Sequence, residues 1–342
     1  MKALLTVSAA VLLTACSNGP APVSASRSTG VGRIVRLDPA FSSIVPEQAQ
    51  IEKVAGGFQF AEGPLWRADG HLWFSDVVGN MVRSVTPGGV VQQLIKNGGG
   101  ENNAPAGSFV GPNGMVVNAE GDVLLCQHTN RRIVKVSKDL QTAVYLDKFD
   151  GERFNSPNDL VYRPDGSLYF TDPPYGLTKQ DDDPAKEIKF NGVLCYSGGK
   201  LRAVIKDLPR PNGIAFSPDG KILYVSNSEP RKYWMRYDVV ADGSVSNGRV
   251  FADVSAEKGE GLPDGMKVDS QGNVYASGPG GLWVFSPEGK HIGTIQTPET
   301  PANCGWGEDG KTLYITARTG VYRIKLAVAG QTPLYPETRS PL

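Results

Sequence analysis

Six oxygen-bearing side chains recur at one register of this sequence: Glu62, Asn113, Asn158, Asn212, Asp264 and Asn303. Each sits in a short polar tag: Glu62-Gly63-Pro64, Pro112-Asn113-Gly114, Pro157-Asn158-Asp159, Pro211-Asn212-Gly213, Pro263-Asp264-Gly265 and the looser Pro301-Ala302-Asn303. Two carboxylates and several amide oxygens brought to one point would suit a hard divalent cation. The three histidines, His71, His128 and His291, are scattered, which disfavours a histidine-based zinc centre. Asn and Asp beside Pro and Gly also serve as turn residues that cap their own backbone. Glu62 has no such advantage at its position, and the equivalence of register across all the tags speaks for a shared site.

The elements that must position these side chains follow from the spacing. The tag residues fall at 62, 113, 158, 212, 264 and 303, so the steps are 51, 45, 54, 52 and 39. After each tag comes an apolar strand, a turn such as Pro164-Asp165-Gly166, and a second strand such as Ser167 to Asp172. A period near fifty with several short strands per repeat predicts an all-β, six-bladed β-propeller. Alternation in twos dominates, and no stretch shows a sustained helical period. The sixth repeat reaches only its third strand, Gly320 to Ile324. Its outer strand is therefore expected from upstream of repeat one, in Ile34–Leu37 or Ala49–Val54, which would leave no open sheet edge. In a propeller the innermost strands line a channel, so the tag side chains should meet at one of its mouths.

Composition fits this reading. The 41 glycines and 25 prolines, without a tripeptide period, suit short strands and tight turns. The 35 basic residues balance 35 acidic ones, so no nucleic-acid footprint stands out.

The N-terminus is a separate object. Met1-Lys2 and the apolar run Ala3 to Leu13 read as a secretory signal over residues 1–15. The ending Leu13-Thr14-Ala15-Cys16 resembles the bacterial lipobox, which implies lipidation of Cys16. Residues 16–31 would then be a lipidated tether, 32–328 the propeller and 329–342 a C-terminal tail. The resemblance, with Ser17 rather than aspartate after the cysteine, implies a protein on the periplasmic side of the envelope, held at the outer membrane by lipid alone. A monomer or weak dimer is expected. Cys126, Cys195 and Cys304 remain, an odd number in or beside apolar strands, and are expected as buried free thiols.

Several longer motifs join the tags. Phe60 to Pro64, Cys126 to Arg132, Ser156 to Leu160, Phe170 to Gly176, Pro211 to Gly213 and Leu262 to Met266 together resemble the gluconolactonase/regucalcin-like hydrolases over roughly residues 55–325. The resemblance implies a six-bladed propeller with a divalent metal, most often Ca2+, with Zn2+, Mn2+ or Mg2+ as alternatives, and a sugar-lactone substrate. It implies Glu62, Asn212 and Asp264 as metal ligands, joined by Asn158, which also contacts substrate or bound water. Asn113 corresponds to a position that is a ligand only in some related propellers and is assigned here to substrate. Relatives of the regucalcin branch carry an arginine at the position of Ser156, so either Arg131 or Arg132 supplies a cation to the substrate instead, with Arg131 taken as the substrate-binding candidate, or the substrate differs. Asp264 is the candidate for orienting or deprotonating water, and His128 for shuttling a proton. A related arylesterase or phosphotriesterase, or a non-catalytic binding propeller, are the competing functions. No Gly-x-Ser-x-Gly elbow points to a serine hydrolase.

Overall fold

A computed structural model describes residues 30–101 and 107–335. The signal segment, Cys16 and nearly all of the tether lie outside the described residues. Six sheets form the blades of a β-propeller. Blade one is Ala61–Trp66, Leu72–Asp76, Met81–Val85 and Val91–Lys96. Blades two to five repeat this antiparallel order from inner strands Pro112–Val117, Leu160–Tyr162, Pro211–Phe216 and Met266–Val268. Blade six has three strands of its own, Pro301–Gly307, Thr312–Ala317 and Gly320–Lys325.

Its fourth strand comes from the other end of the chain. Ile51–Gly56 pairs antiparallel with Gly320–Lys325, with Ile51 opposite Ile324 and Gly56 opposite Gly320. Of the two segments expected to close the ring, Ala49–Val54 is the one that does so. The other, within Arg33–Arg36, adds a fifth strand to blade five by pairing with His291–Gln296. Between them the short helix Ala40–Ile44 buries Phe41 and Ile44 between blades five and six, among Tyr275, Leu282, Leu313 and Ile324. Burying two such side chains contributes about 1.5–3 kcal/mol each.

Side chains alternate along every strand, so each sheet has two apolar faces, and neighbouring blades interlock them. Tyr169 and Val193 of blade three meet Ile214 and Leu223 of blade four in one cluster, and Ala215, Tyr224 and Trp234 of blade four meet Met266 and Val274 of blade five in the next. Trp234 is fully buried beside Trp283 and Phe285 and belongs to the core. Cys126, Cys195 and Cys304 are buried free thiols, as expected. The chain beyond 328 stays packed through Tyr335: Ser270 N–H donates to Ala329 O at 3.0 Å, and the Tyr335 ring meets Tyr162 edge-on. Among the described residues no helix is long and apolar enough to cross a membrane.

Candidate active site

The tags lie in or immediately before the inner strands rather than in free-standing turns. At Glu62, Pro112, Pro211 and Pro301 the pairing with the second strand shifts register, so the chain bulges where the tag side chain turns inward. The last residue of the second strand fixes the approach to several of these bulges. Asp76 accepts the N–H groups of Gln59 and Phe60 at 3.0 Å each, Asp172 those of Asn155 and Ser156 at 2.8 Å each, and Asn227 Oδ1 that of Arg210 at 2.8 Å. The residue before it laces one blade to the next. Ser75, Thr171 and Ser226 hydroxyls donate to the carbonyls of Asn113, Asn212 and Asp264 at 2.7, 2.8 and 2.6 Å.

The glycines that follow the tag residues allow this closeness. A Cβ on Gly63 would lie 2.4 Å from Asn113 O, on Gly213 2.3 Å from Asp264 O, and on Gly265 1.9 Å from Asn303 Cγ. Three of the four glycines here, Gly114, Gly213 and Gly265, serve close approach rather than a left-handed turn, since only Gly63 has positive φ.

All six tag residues reach one ring. Asn113 Nδ2 donates to Asn158 Oδ1 at 2.8 Å, Asn158 Nδ2 to Asn212 Oδ1 at 2.7 Å, and Asn212 Nδ2 to Ser228 Oγ at 3.1 Å and toward the Asp264 carboxylate. On the opposite arc Asn303 Nδ2 donates to Glu62 Oε2 at 2.9 Å, and the Gly63 N–H donates to the same oxygen. Glu62, Asn113, Asn158, Asn212 and Asn303 are buried, while Asp264 keeps part of its surface open.

Sequence reasoning passed over a third acid. Asp159 follows Asn158 at the register where the other tags carry glycine or Cys304, and its buried Oδ2 has no hydrogen bond, with Lys267 Nζ 3.7 Å away. That break in the glycine pattern was the available signal. Lys267 also donates to Asn303 Oδ1 at 3.4 Å and is a further residue beneath the ring that the tags did not announce.

The acids oppose one another. Burial, and then the charge of Asp159, push the Glu62 carboxyl up to about 7, against hydrogen bonds from Asn303 and Gly63. Burial, and then Glu62 and Asp159, hold Asp264 well above the usual carboxylate range. Such acids are short of positive charge. Among the described residues no three His, Cys, Asp or Glu side chains group as a metal cluster. The donor set is instead two carboxylates, Glu62 and Asp264, with the amide oxygens of Asn158 and Asn212, each of which has a lone pair beyond the one used within the ring. All-oxygen donors under mutual repulsion fit a hard divalent cation.

His128 and Arg131 sit differently from expectation. His128 is buried, with Nδ1 3.1 Å from Phe109 O and Nε2 3.4 Å from Asn113 Nδ2. Donation from Nδ1 to that carbonyl leaves Nε2 as acceptor from Asn113, which orients the amide. Burial lowers the imidazole to about 4, so it is neutral near pH 7 and poorly matched to proton shuttling there. Arg131 is buried and its guanidinium is spent on carbonyls: Phe154 O at 2.6 Å, Ala185 O at 2.7 Å and Arg153 O at 3.2 Å. None of these partners belongs to the ring. A buried guanidinium must satisfy its donors, and Arg131 does so by tying the 150–155 segment to the 178–189 loop. That loop is in turn pinned where Asp181 takes Arg210 and, at 2.8 Å, Asn191 Nδ2.

Residues 60–319 match the SMP-30/gluconolactonase/LRE-like region. The gluconolactonase of Zymomonas mobilis is 39% identical over 337 residues, covering 94% of each chain. A solved gluconolactonase structure from Xanthomonas campestris superposes with a TM-score of 0.75 at 29% identity, covering 87% of this chain and 99% of that one. Regucalcin of Xenopus laevis is 27% identical over 275 residues, 77% of this chain and 85% of the relative.

Proposed function

The chain belongs to the SMP-30/gluconolactonase/LRE-like family, and from that premise we propose that it is a divalent-metal-dependent hydrolase of sugar lactones. Its class, a hydrolase of lactone ester bonds, is that of its gluconolactonase and lactonase relatives. The observation that carries the metal reading is the meeting of Glu62 and Asp264, from opposite ends of the chain, in a ring of amide oxygens where both are uncomfortable as free anions. Glu62, Asp264, Asn158 and Asn212 would hold the cation, and calcium suits these donors best. When bound, such a cation polarises the lactone carbonyl and offsets the negative charge that grows there.

The chain's own residues supply the rest. Asp264, partly open, accepts a proton from the attacking water as the water oxygen bonds to the carbonyl carbon, and returns it to the ring oxygen as the ring C–O bond breaks. Asn158 orients substrate or water, and is itself aligned by Asn113, which His128 holds from behind. The test is a pH-stat assay of purified protein against glucono-, xylono- and aliphatic lactones after chelation, with calcium, magnesium, manganese and zinc added back separately. Activity with sugar lactones that returns only with a cation is expected, and full activity in the chelated protein would defeat the metal reading.

Cation affinity should depend on pH with a defined sign. Binding requires the ionised carboxylate, and Glu62 holds its proton up to about 7. Affinity measured by titration calorimetry is therefore expected to fall roughly tenfold per unit below that value, with proton release on binding. A pH-independent affinity between 5.5 and 8 would contradict this.

We further propose that Cys16 carries the lipid that retains the protein at the envelope. Replacing it, Cys16→Ser, should abolish incorporation of labelled palmitate and release the protein from the membrane fraction.

A further inference from the structure

Beside the ring, a second buried polar atom joins Asp159 Oδ2 in making no hydrogen bond. Tyr175 lies in the turn that leaves the second strand of blade three, Leu168–Asp172, and its hydroxyl is buried without a hydrogen bond. That hydroxyl lies at the limit of hydrogen-bond reach of Ser228 and Asn212, with no well-formed bond to either, and feels the charge of Asp264. Ser228 is already occupied: its hydroxyl accepts from Asn212 at 3.1 Å and donates to Pro263 O at 2.6 Å. A buried hydroxyl left unpaired in a folded protein costs stability unless a ligand completes it.

The turn is built to hold this phenol still. Ser156 Oγ donates to Pro173 O at 2.6 Å and accepts the Gly176 N–H at 2.9 Å, so one side chain clamps both flanks of Tyr175. Ser156 is itself fixed, since its own N–H donates to Asp172 at 2.8 Å. Gly176 seats directly on His128, where a Cβ would lie 2.8 Å from His128 O. Pro173 and Pro174 restrict the backbone further. The ring and the turn thus share His128 as a common floor.

We propose that Tyr175 is a catalytic residue of the lactone hydrolysis, its hydroxyl donating a hydrogen bond to the lactone carbonyl oxygen as negative charge builds there. The inference rests on the lactonase reading above. A phenol keeps its proton near neutral pH, so Tyr175 donates without transferring the proton. Water adds to the carbonyl carbon, its proton passes to Asp264, and the proton returns to the ring oxygen as the C–O bond breaks. The product is the open hydroxy acid, and Tyr175 is unchanged. The donor stands next to Asn212 and Asp264, where the carbonyl must lie if those residues hold a cation against it.

The test compares wild type, Tyr175→Phe and Ser156→Ala on glucono-1,5-lactone, with calcium titrated into each by calorimetry. Loss of one preorganised donor to a developing oxyanion lowers kcat by about 100-fold. Tyr175→Phe is therefore expected to lose about that factor in kcat, with KM within about twofold and calcium affinity unchanged. Ser156→Ala, which keeps the phenol but loosens its turn, should lose several-fold in kcat. A Tyr175→Phe variant with kcat within threefold of wild type overturns the proposal, as does an effect confined to KM. Calcium affinity weakened tenfold or more would make Tyr175 a support of the ring and also overturn it. Wild-type protein inactive on every lactone would remove the lactonase reading itself, a result separable from the others because it requires no variant.

Discussion

Asp264→Ala is expected to abolish lactone hydrolysis, with a loss of at least about 1,000-fold, and to abolish calorimetric cation binding while leaving the far-UV spectrum unchanged. The spectrum should hold because Asp264 packs no core: it precedes Met266–Val268, keeps an open face, and its blade is anchored through its carbonyl, which Ser226 reaches at 2.6 Å. Stability should move the other way. In the cation-free protein, burial and the charges of Glu62 and Asp159 raise Asp264. A folded-state pKa above the unfolded one means that the unfolded chain sheds its proton first as pH rises, so stability falls across that interval. Deleting one of three opposed acids removes the penalty. At pH 8 the cation-free variant should therefore melt above cation-free wild type. Added calcium should raise the wild-type midpoint by mass action and leave the variant where it is. A variant that keeps its activity, or that melts lower in the absence of cation, would contradict the electrostatic account of the ring.

Gly213→Ala is the second large effect, and it concerns the fold. Its Cβ would lie 2.3 Å from Asp264 O and 2.7 Å from Gly265 Cα, so the obstacle is the backbone of the next blade rather than a side chain that can swing away. Forcing the methyl in must part blades four and five beside the ring. The expected cost is about 3 kcal/mol, read as a lowered urea midpoint with an unchanged slope, together with loss of cation binding. Gly88→Ala provides the control. A Cβ there meets only Thr86 Oγ1 at 3.7 Å, and the stability change should be within about 0.5 kcal/mol. Equal costs at the two sites would show that the inner strands are not held by close approach.

The contrast explains what the sequence could and could not reveal. The repeat was legible because a fixed period with alternating strands has one economical fold. Blade closure was legible too, because repeat six visibly lacked a strand. The tag side chains were found by register alone, and all six meet. The role of the tag glycines was not legible: Pro-Asn-Gly looks like a turn, and only the distance from Gly213 to the neighbouring carbonyl shows why the side chain is missing. Asp159 was hidden by the same habit, as one more turn residue in Pro157-Asn158-Asp159. Arg131 could not be placed, because what neutralises its donors are carbonyls at 153, 154 and 185, which the fold brings near but no local pattern links to it. Tyr175 lay inside a conspicuous Asp-Pro-Pro-Tyr-Gly run, but an unpaired hydroxyl is a property of surroundings and not of a motif.

The shared sixth blade has a consequence for how the molecule is made. Glu52 meets Arg323 at 2.8 Å across 271 residues of chain. During synthesis Ile51–Gly56 emerges early and then waits for almost every other strand before its partner, Gly320–Lys325, exists. Pairing between such distant segments is slow to form. A chain released short of residue 320 keeps five complete blades and presents two unsatisfied edges to its surroundings. The last edge of the sheet system is covered only when residues 320–325 pair with residues 51–56.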